Sequence, residues 1–363
     1  MSREGVNAEI LDLEAELSKT KYNKRTQHHI GLVKAKLARL KEKASSGGGK
    51  KGEGYNVRKT GDATVVLVGF PSVGKSTLLN QITNADSKVG AYEFTTLTVV
   101  PGLMEHHSAK IQVLDVPGII HGASSGKGRG REIISVMRNS DLVVLIIDVF
   151  NIAQLKVLEK ELFDSGLRLN VKKPEVVIKR RIKGGLSISW TVPKSLDDET
   201  VEAILKEFKM INADIVIRDQ ISIDDLIDAI ESNKVYIPAL TVINKVDMTS
   251  LEHIKDLKTK FPEAVFISAK NEKNFEDVKE KIFKSLSLIK IFMKEVGKEA
   301  DLNEPLIIKK NSTVADVCNK IHRDFLRRFR FCRIWGKSAK FPGQVFKANH
   351  IVQDSDIVQL HLK

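Results

Sequence analysis

Gly69-Phe70-Pro71-Ser72-Val73-Gly74-Lys75-Ser76 fits the spacing G-x-x-x-x-G-K-[ST], and residue types in that order are suited to holding phosphate. The glycines let the backbone curl so that successive N–H groups point inward around a β-phosphate. A helix opening at Lys75 adds the positive end of its dipole. Lys75 can reach the β- and γ-phosphates, where its charge offsets that of a phosphoryl transition state, and the Ser76 hydroxyl can ligate Mg2+. Gly69, Pro71, Ser72, Val73, Gly74, Lys75, Ser76 and Thr77 are therefore the expected phosphate-binding stretch.

Four further stretches complete the chemistry. In Leu-Asp-Val-Pro-Gly, Asp115 ends an apolar run and suits a Mg2+ site, reached through water, while the Gly118 N–H can bond a γ-phosphate. In Asn244-Lys245-Val246-Asp247, where Asn244 and Asp247 are expected to select guanine, the final carboxylate can accept two hydrogen bonds from the N1–H and the 2-amino group of guanine, which adenine lacks. A mismatched base would leave that carboxylate desolvated and unpaired, a filter of roughly 10⁴-fold. The stem of Lys245 can lie along the base, and in Ser268-Ala269-Lys270 the Ala269 N–H can donate to guanine O6. Between the phosphate loop and Asp115, AYEFTTLT offers Thr96, with Thr95 as the alternative, to complete Mg2+ coordination when a γ-phosphate is present. Lys75, Thr96 and Gly118 form the expected catalytic set, and Ser76, Thr96 and Asp115 the expected metal set.

Each motif needs a strand behind it, and the apolar pattern supplies one. TVVLVGF reads as a strand and KSTLLNQIT as a helix; KIQVLDVPG and DLVVLIIDV read as further buried strands, followed by a helix near 151–165. VVIKRR and GLSISW flanking Gly184-Gly185 read as a β-hairpin, ETVEAILKEF and IDDLIDAIES as helices. The buried-strand pattern returns at VYIPALTVINKVD and AVFISAK. The expected class is α/β: a phosphate-loop nucleotide-binding domain at 61–165 and 236–288, interrupted by an inserted α+β subdomain at 166–235. Ahead of it, 1–46 reads as a helical hairpin with amphipathic helices at 9–18 and 26–43, and 47–60 as a Gly/Ser/Lys linker. Residues 289–363 alternate strand, strand, helix (313–328), strand and strand, which suits a small β-grasp module.

Charge separates the middle of the chain from its ends. The net charge is +13, yet residues 1–60 hold 14 Lys/Arg against 7 Asp/Glu, residues 290–363 hold 15 against 8, and 61–289 hold 30 against 31. Two basic modules around a neutral core favour a phosphate-rich partner such as RNA. No apolar run approaches the roughly 18 residues that span a bilayer; Leu142 to Ile147 is framed by Asp141 and Asp148 and reads as a buried strand. The N-terminus lacks the pattern of a signal peptide. Cys318 and Cys332 are too few for a disulfide framework, so a reducing cytoplasm is the expected compartment. Cys318 falls on an apolar helix face with Ile321 and Phe325 and reads as core, whereas His28 and His29 read as a solvated helix face. Trp335, Phe329 and Phe331 interleave with Arg328, Arg330 and Arg333, which fits an RNA-stacking surface or, for Trp335 and Phe331, equally the core of the small sheet.

GFPSVGKSTLLN, AYEFTTLT, DVPGIIHGASSGKGRGRE, NADIVIRD, VYIPAL and NKVD together resemble the developmentally regulated GTP-binding (DRG) proteins of the Obg-like GTPases, in wording nearest the archaeal members. NKRTQHHIGLVKAKLARLKEK resembles that family's N-terminal helical segment, and VCNKIHRDF with WGKSAKFPGQ its C-terminal TGS module. The resemblance spans nearly the whole chain and implies GTP hydrolysis, binding of GTP and GDP, and association with ribosomes or translation. Ile119 stands directly after Gly118, where Ras-like proteins carry a water-orienting glutamine, so intrinsic turnover is expected to be slow. Ser72 stands where potassium-activated relatives carry an asparagine, which leaves K+ open as an activator beside Mg2+. His121 takes a place where the family often shows glutamate and reads as a solvated loop residue ahead of a proton carrier. Arg129 and Arg131 read as partner-binding cations ahead of arginine fingers. The expectation is a slow GTP-hydrolysing switch whose loops 88–98 and 116–131 order with GTP, working on ribosomes or rRNA through its basic ends, with room for a regulatory protein partner. The rival is an RNA- or ribosome-binding module whose nucleotide regulates affinity with negligible unstimulated turnover.

Overall fold

The computed structural model describes residues 3–46, 61–83, 100–116, 130–271 and 273–363. Thr95, Thr96, Gly118, Ile119, His121, Arg129 and the side chain of Arg131 lie outside the described residues. The chain opens with helices α1 (Arg3–Lys19) and α2 (Gln27–Ser46), joined by a turn in which the Asn23 carboxamide accepts the Arg25 and Thr26 N–H groups at 2.9 and 3.0 Å. Next come β1 (Ala63–Val68), α3 (Lys75–Ile82), β2 (Val100–His106), β3 (Ala109–Asp115), α4 (Gly130–Arg138), β4 (Leu142–Asp148) and α5 (Gln154–Asp164). A short β5 (Leu167–Leu169) leads to β6 (Val176–Arg180), β7 (Leu186–Trp190), α6 (Asp198–Glu207), β8 (Ala213–Ile217) and α7 (Ile223–Glu231). Strand β9 (Val235–Ile237), β10 (Ala239–Asn244), α8 (Leu251–Lys260), β11 (Val265–Phe266) and α9 (Phe275–Ser285) follow. The chain closes with β12 (Leu288–Lys294), β13 (Ala300–Lys309), α10 (Val314–Ile321), α11 (Phe325–Arg328), β14 (Phe329–Trp335), β15 (Gln344–Phe346) and β16 (Asp356–Leu362).

These elements fall into two compact units. The larger holds a six-stranded sheet in the order β11-β10-β4-β1-β3-β2, parallel except for the β2–β3 hairpin. Strands β1 and β4 are buried at every position, as continuous Val/Ile/Leu runs in a parallel sheet require. The sequence pattern does not reveal β2, which carries Pro101 and Gly102; it lies at the sheet edge, where a strand tolerates proline. A five-stranded sheet, β13-β12-β16-β14-β15, belongs to the same unit and carries α10 on one face. Val314, Val317 and Cys318 of α10 pack with Ile291, Cys332, Ile334 and Val358. Burial pushes the Cys332 thiol up to about 11, so it is an inert core group. The helix expected over 313–328 is two helices, because His322 turns to extended backbone after α10. Phe331 and Trp335 are half-buried, Phe331 stacked on the His361 ring at 4.3 Å. Leu288 and Ile307 also join the core of the larger sheet, and Lys309–Asp141 (2.7 Å) and Lys320–Asp62 (2.7 Å) tie the two sheets together.

The smaller unit joins α1 and α2 to residues 162–236. Sequence places a β-hairpin at β6 and β7; instead both pair with β8, β6 antiparallel and β7 parallel, giving the order β6-β8-β7. The alternation of β8 explains its central place: Ala213, Ile215 and Ile217 are buried toward α6, α7 and α2. Ile30 and Ala35 of α2 share that core with Val201, Ile204, Leu226 and Ile227, so the helical pair and the segment after 162 are packed as one body. Lys34 meets Asp224 at 2.6 Å and Arg39 donates to the Glu207 carbonyl at 2.7 Å. Several basic groups of α2 are thus spent on internal carboxylates and carbonyls. Deeper in this unit Arg168 grips Asp228 through Nε (2.5 Å) and Nη2 (2.7 Å). No helix of the described residues is long and apolar enough to cross a membrane.

Candidate nucleotide site

The described motif residues collect at the carboxyl ends of β1, β3, β10 and β11, the edge where open α/β sheets take ligands. Gly74 ends the phosphate loop with φ 98, a left-handed conformation suited to glycine, and caps α3. A Cβ there would also collide with the Asn244 Nδ2 atom. Ser72 holds φ 63 in the same loop, and Pro71 and Ser72 are exposed at its outer bend. Lys75 is 9% exposed, and its ammonium donates to the Gly69 and Phe70 carbonyls, each at 3.0 Å. Burial pulls its pKa down, and the Asp115 carboxylate pulls it back up.

Ser76 Oγ donates to Asp115 Oδ2 at 2.6 Å. The hydroxyl on α3 and the carboxylate ending β3 therefore meet in space although 39 residues separate them. Two hard oxygen donors facing a phosphate loop fit Mg2+.

Asn244 is tied into the protein on both sides. Asn244 is 2% exposed; its Nδ2 donates to the Val73 carbonyl at 2.8 Å. Its Oδ1 accepts from the Lys245 N–H at 2.7 Å and the Ala269 N–H at 2.9 Å. Asn244 therefore laces the phosphate loop to the Ser268-Ala269-Lys270 loop, and its Oδ1 lies against the Ala269 N–H that is expected to donate to guanine O6. Asn244→Ala should leave three backbone groups, two of them buried, without these partners and cost about 3 kcal/mol. A drop in the urea midpoint checks this, and an unchanged midpoint would refute it.

Ser268 is fully buried and its Oγ accepts the Asn271 N–H at 3.2 Å, while Lys270 is exposed. Lys245 (φ 63) leads into a 3-10 turn over Val246–Met248 that presents an exposed Asp247. Thr77 sits exposed in the first turn of α3.

Asp148 is a site residue that the motif spacing does not flag. It ends β4 beside Asn244 in register, is 7% exposed, and stands 3.4 Å from Lys245 Nζ through Oδ2. Its Oδ1 accepts the Phe150 N–H at 3.1 Å and Asn151 Nδ2 at 2.9 Å. The carboxylate fixes where the Lys245 stem lies. Its one legible signal is an acid closing the apolar run DLVVLIID.

With that geometry in place, comparison with known proteins is specific. Residues 64–180 match the family described as 50S ribosome-binding GTPase, 183–288 the C-terminal region of the MMR_HSR1 domain, and 289–362 the TGS domain. The chain is 52% identical to an uncharacterised GTP-binding protein of Methanocaldococcus jannaschii, over 99% of this chain and 93% of the relative. It is 44% identical to developmentally-regulated GTP-binding protein 1 of Xenopus laevis, over 98% of this chain and 99% of that one. Among solved structures, a GTP binding protein from Pyrococcus horikoshii OT3 is similar over 83% of this chain and 100% of its own, at 17% identity and a TM-score of 0.45, too distant to carry an argument.

Proposed function

The chain belongs to the family of developmentally regulated GTP-binding proteins, and on that premise we propose that it binds GTP with Mg2+ and hydrolyses it to GDP and phosphate as a slow switch. The observation that carries this reading is the meeting of Ser76 with Asp115 beneath a phosphate loop whose lysine is already in place. Ser76 and Asp115 would hold the Mg2+, with Thr96 as the further ligand. The ion held there would supply positive charge that offsets the charge developing on the phosphate groups. Lys75 sits at the mouth of the loop, and its ammonium can pass from the two carbonyls to phosphate oxygens. Asp247 selects guanine, Lys245 covers the base, and Asn244 acts by holding both loops in register.

Ile119 favours slow unstimulated turnover, since an alkyl side chain orients no water. K+ is a further activator in this reading, with Ser72 as the residue nearest to that role. The partner we propose is the ribosome or its RNA, supported by the family description of residues 64–180 and by net positive charge at both ends of the chain. The test is pelleting of the purified protein with ribosomes, comparing a non-hydrolysable GTP analogue with GDP, alongside turnover with and without ribosomes. Stronger pelleting with the analogue, lost at high salt, is the expected result. Equal pelleting in both states overturns the switch on ribosomes and leaves GTP hydrolysis standing. Turnover that stays at background in every condition favours the nucleotide-regulated binding module instead.

A further inference from the structure

Among the described residues, one cluster of metal-ligating side chains lies away from the nucleotide site: His106, His107 and Glu280. Consecutive residues in a strand point to opposite faces, so two neighbouring histidines do not ordinarily share a ligand. Here the β2–β3 connection brings them together. His107 (φ 51) and Ser108 (φ 67) form the two-residue loop between His106 and Ala109, with the positive dihedrals of a type I′ turn. His106 Nε2 stands 3.0 Å and His107 Nε2 2.9 Å from the same oxygen, Glu280 Oε2 on α9. Phe283, one turn further along α9, packs edge-on against both rings at 6.0 and 5.1 Å.

Two imidazoles and a carboxylate aimed at one point can share protons or a cation. Ligand atoms of a tetrahedral Zn2+ site lie 2.0–2.2 Å from the metal and so roughly 3.3 Å from one another. The three atoms lie within 4.8 Å of each other, so shifts of side-chain torsions alone would admit the ion. Imidazole with carboxylate suits Zn2+, Co2+, Ni2+ or Cu2+ and does not suit Mg2+. His106 is only 14% exposed and is fixed by packing, while His107 (45%) and Glu280 (37%) leave room for water at the remaining positions. Lys284 Nζ lies 3.1 Å from the other oxygen, Glu280 Oε1, and leaves Oε2 to the histidines.

We propose that His106, His107 and Glu280 bind one divalent transition-metal ion of the Zn2+ class, fastening the β2–β3 turn to α9. The site is separate from the Mg2+ position. In the hairpin register His106 pairs with Ala109 and Val100 with Asp115, which sets the two sites at opposite ends of the hairpin, roughly 20 Å apart. Its neutral-imidazole ligands make binding fall on acidification.

The experiment is a Co2+ titration of the full chain in excess Mg2+, read by visible d–d absorption and bleached with Zn2+. One equivalent should bind. Glu280→Gln and His107→Asn should each weaken it by more than the roughly 10- to 100-fold that losing an outer partner of a ligand costs. Asparagine accepts the positive φ at the turn, so His107→Asn keeps the fold if Glu280→Gln does not, and circular dichroism checks both. His253→Ala, on exposed α8, should change nothing, and Zn2+ should raise the melting temperature of the wild type but not of Glu280→Gln. A wild type with no band at millimolar Co2+, or a band untouched in both variants, overturns the site.

Discussion

Lys75→Ala should reduce GTP turnover by about 10³-fold or more, equivalent to about 4 kcal/mol of transition-state stabilisation. The size follows from how little else could replace the charge. Lys75 Nζ is held by two loop carbonyls at 3.0 Å, and the residue is only 9% exposed. Lys245 is committed to Asp148 at 3.4 Å, and Lys270 points into solvent. Arginine would not restore the rate, because a planar guanidinium does not reproduce the compact point charge of an ammonium. Stability should not fall with the rate: removing a partly desolvated ammonium relieves the burial that pulls its pKa down. Turnover measured with saturating GTP, beside a thermal melt, separates the two effects. A variant that keeps more than a tenth of the wild-type rate would refute the role.

The reason this prediction can be made from a sequence at all is local. The phosphate loop, its strand and its helix are contiguous, and the hydrophobic run and glycine spacing that announce them lie within one stretch of chain. The same holds for β4 and for β10 with the motif at its end, since each buried parallel strand is a short apolar block with a sharp stop. What was not legible depends on partners distant in sequence. Strand β2 is concealed by Pro101-Gly102, and Gly102 has its place because a Cβ would come within 3.0 Å of Thr83 and Leu79 near the end of α3. Strands β6 and β7 flank Gly184-Gly185 and look like a hairpin locally. The strand that separates them, β8, arrives 22 residues after the end of β7 and wins both edges through long-range burial.

The same distinction divides the candidate site. Residue types announce Lys75, Ser76 and Asp115, whose roles follow from charge and hard oxygens. Asn244 carries a role that only the fold reveals: its carboxamide joins two loops through one Nδ2–H and both bonds accepted by Oδ1, while the second Nδ2–H stays available to a base. Asp148 shows in the sequence only as the acid closing an apolar run, and its place beside Lys245, like the meeting of the histidine pair with Glu280, appears only when β4 meets β10 and the β2–β3 turn meets α9. The order of the nucleotide motifs, each behind its apolar strand, is legible in the residues themselves, whereas the link to ribosomes or translation comes only with the resemblance to the GTP-binding family.

That division gives base selection a sharp test. Asp247→Asn should exchange the preferred base from guanine to xanthine. Guanine offers N1–H and a 2-amino group to a carboxylate that accepts from both. Xanthine keeps N1–H but carries a carbonyl at C2, so it needs an acceptor beside a donor, which is what a carboxamide presents. The substituted side chain would meet the guanine 2-amino group with its own amide N–H and leave both groups unpaired, a loss of roughly 10²- to 10⁴-fold for GTP. XTP should gain by a comparable factor. Asp247 is exposed on a short 3-10 turn, so the exchange should leave the melting temperature unchanged. Asn244→Ala should behave oppositely, weakening GTP and XTP together while lowering stability, because it loosens the two loops without altering what they read. Competition of the two triphosphates against a fluorescent nucleotide, run on both variants, distinguishes a base reader from a loop brace. If Asp247→Asn weakens GTP and XTP equally, the carboxylate is not what reads the base, and selection must lie with the backbone of the Ser268-Ala269-Lys270 loop.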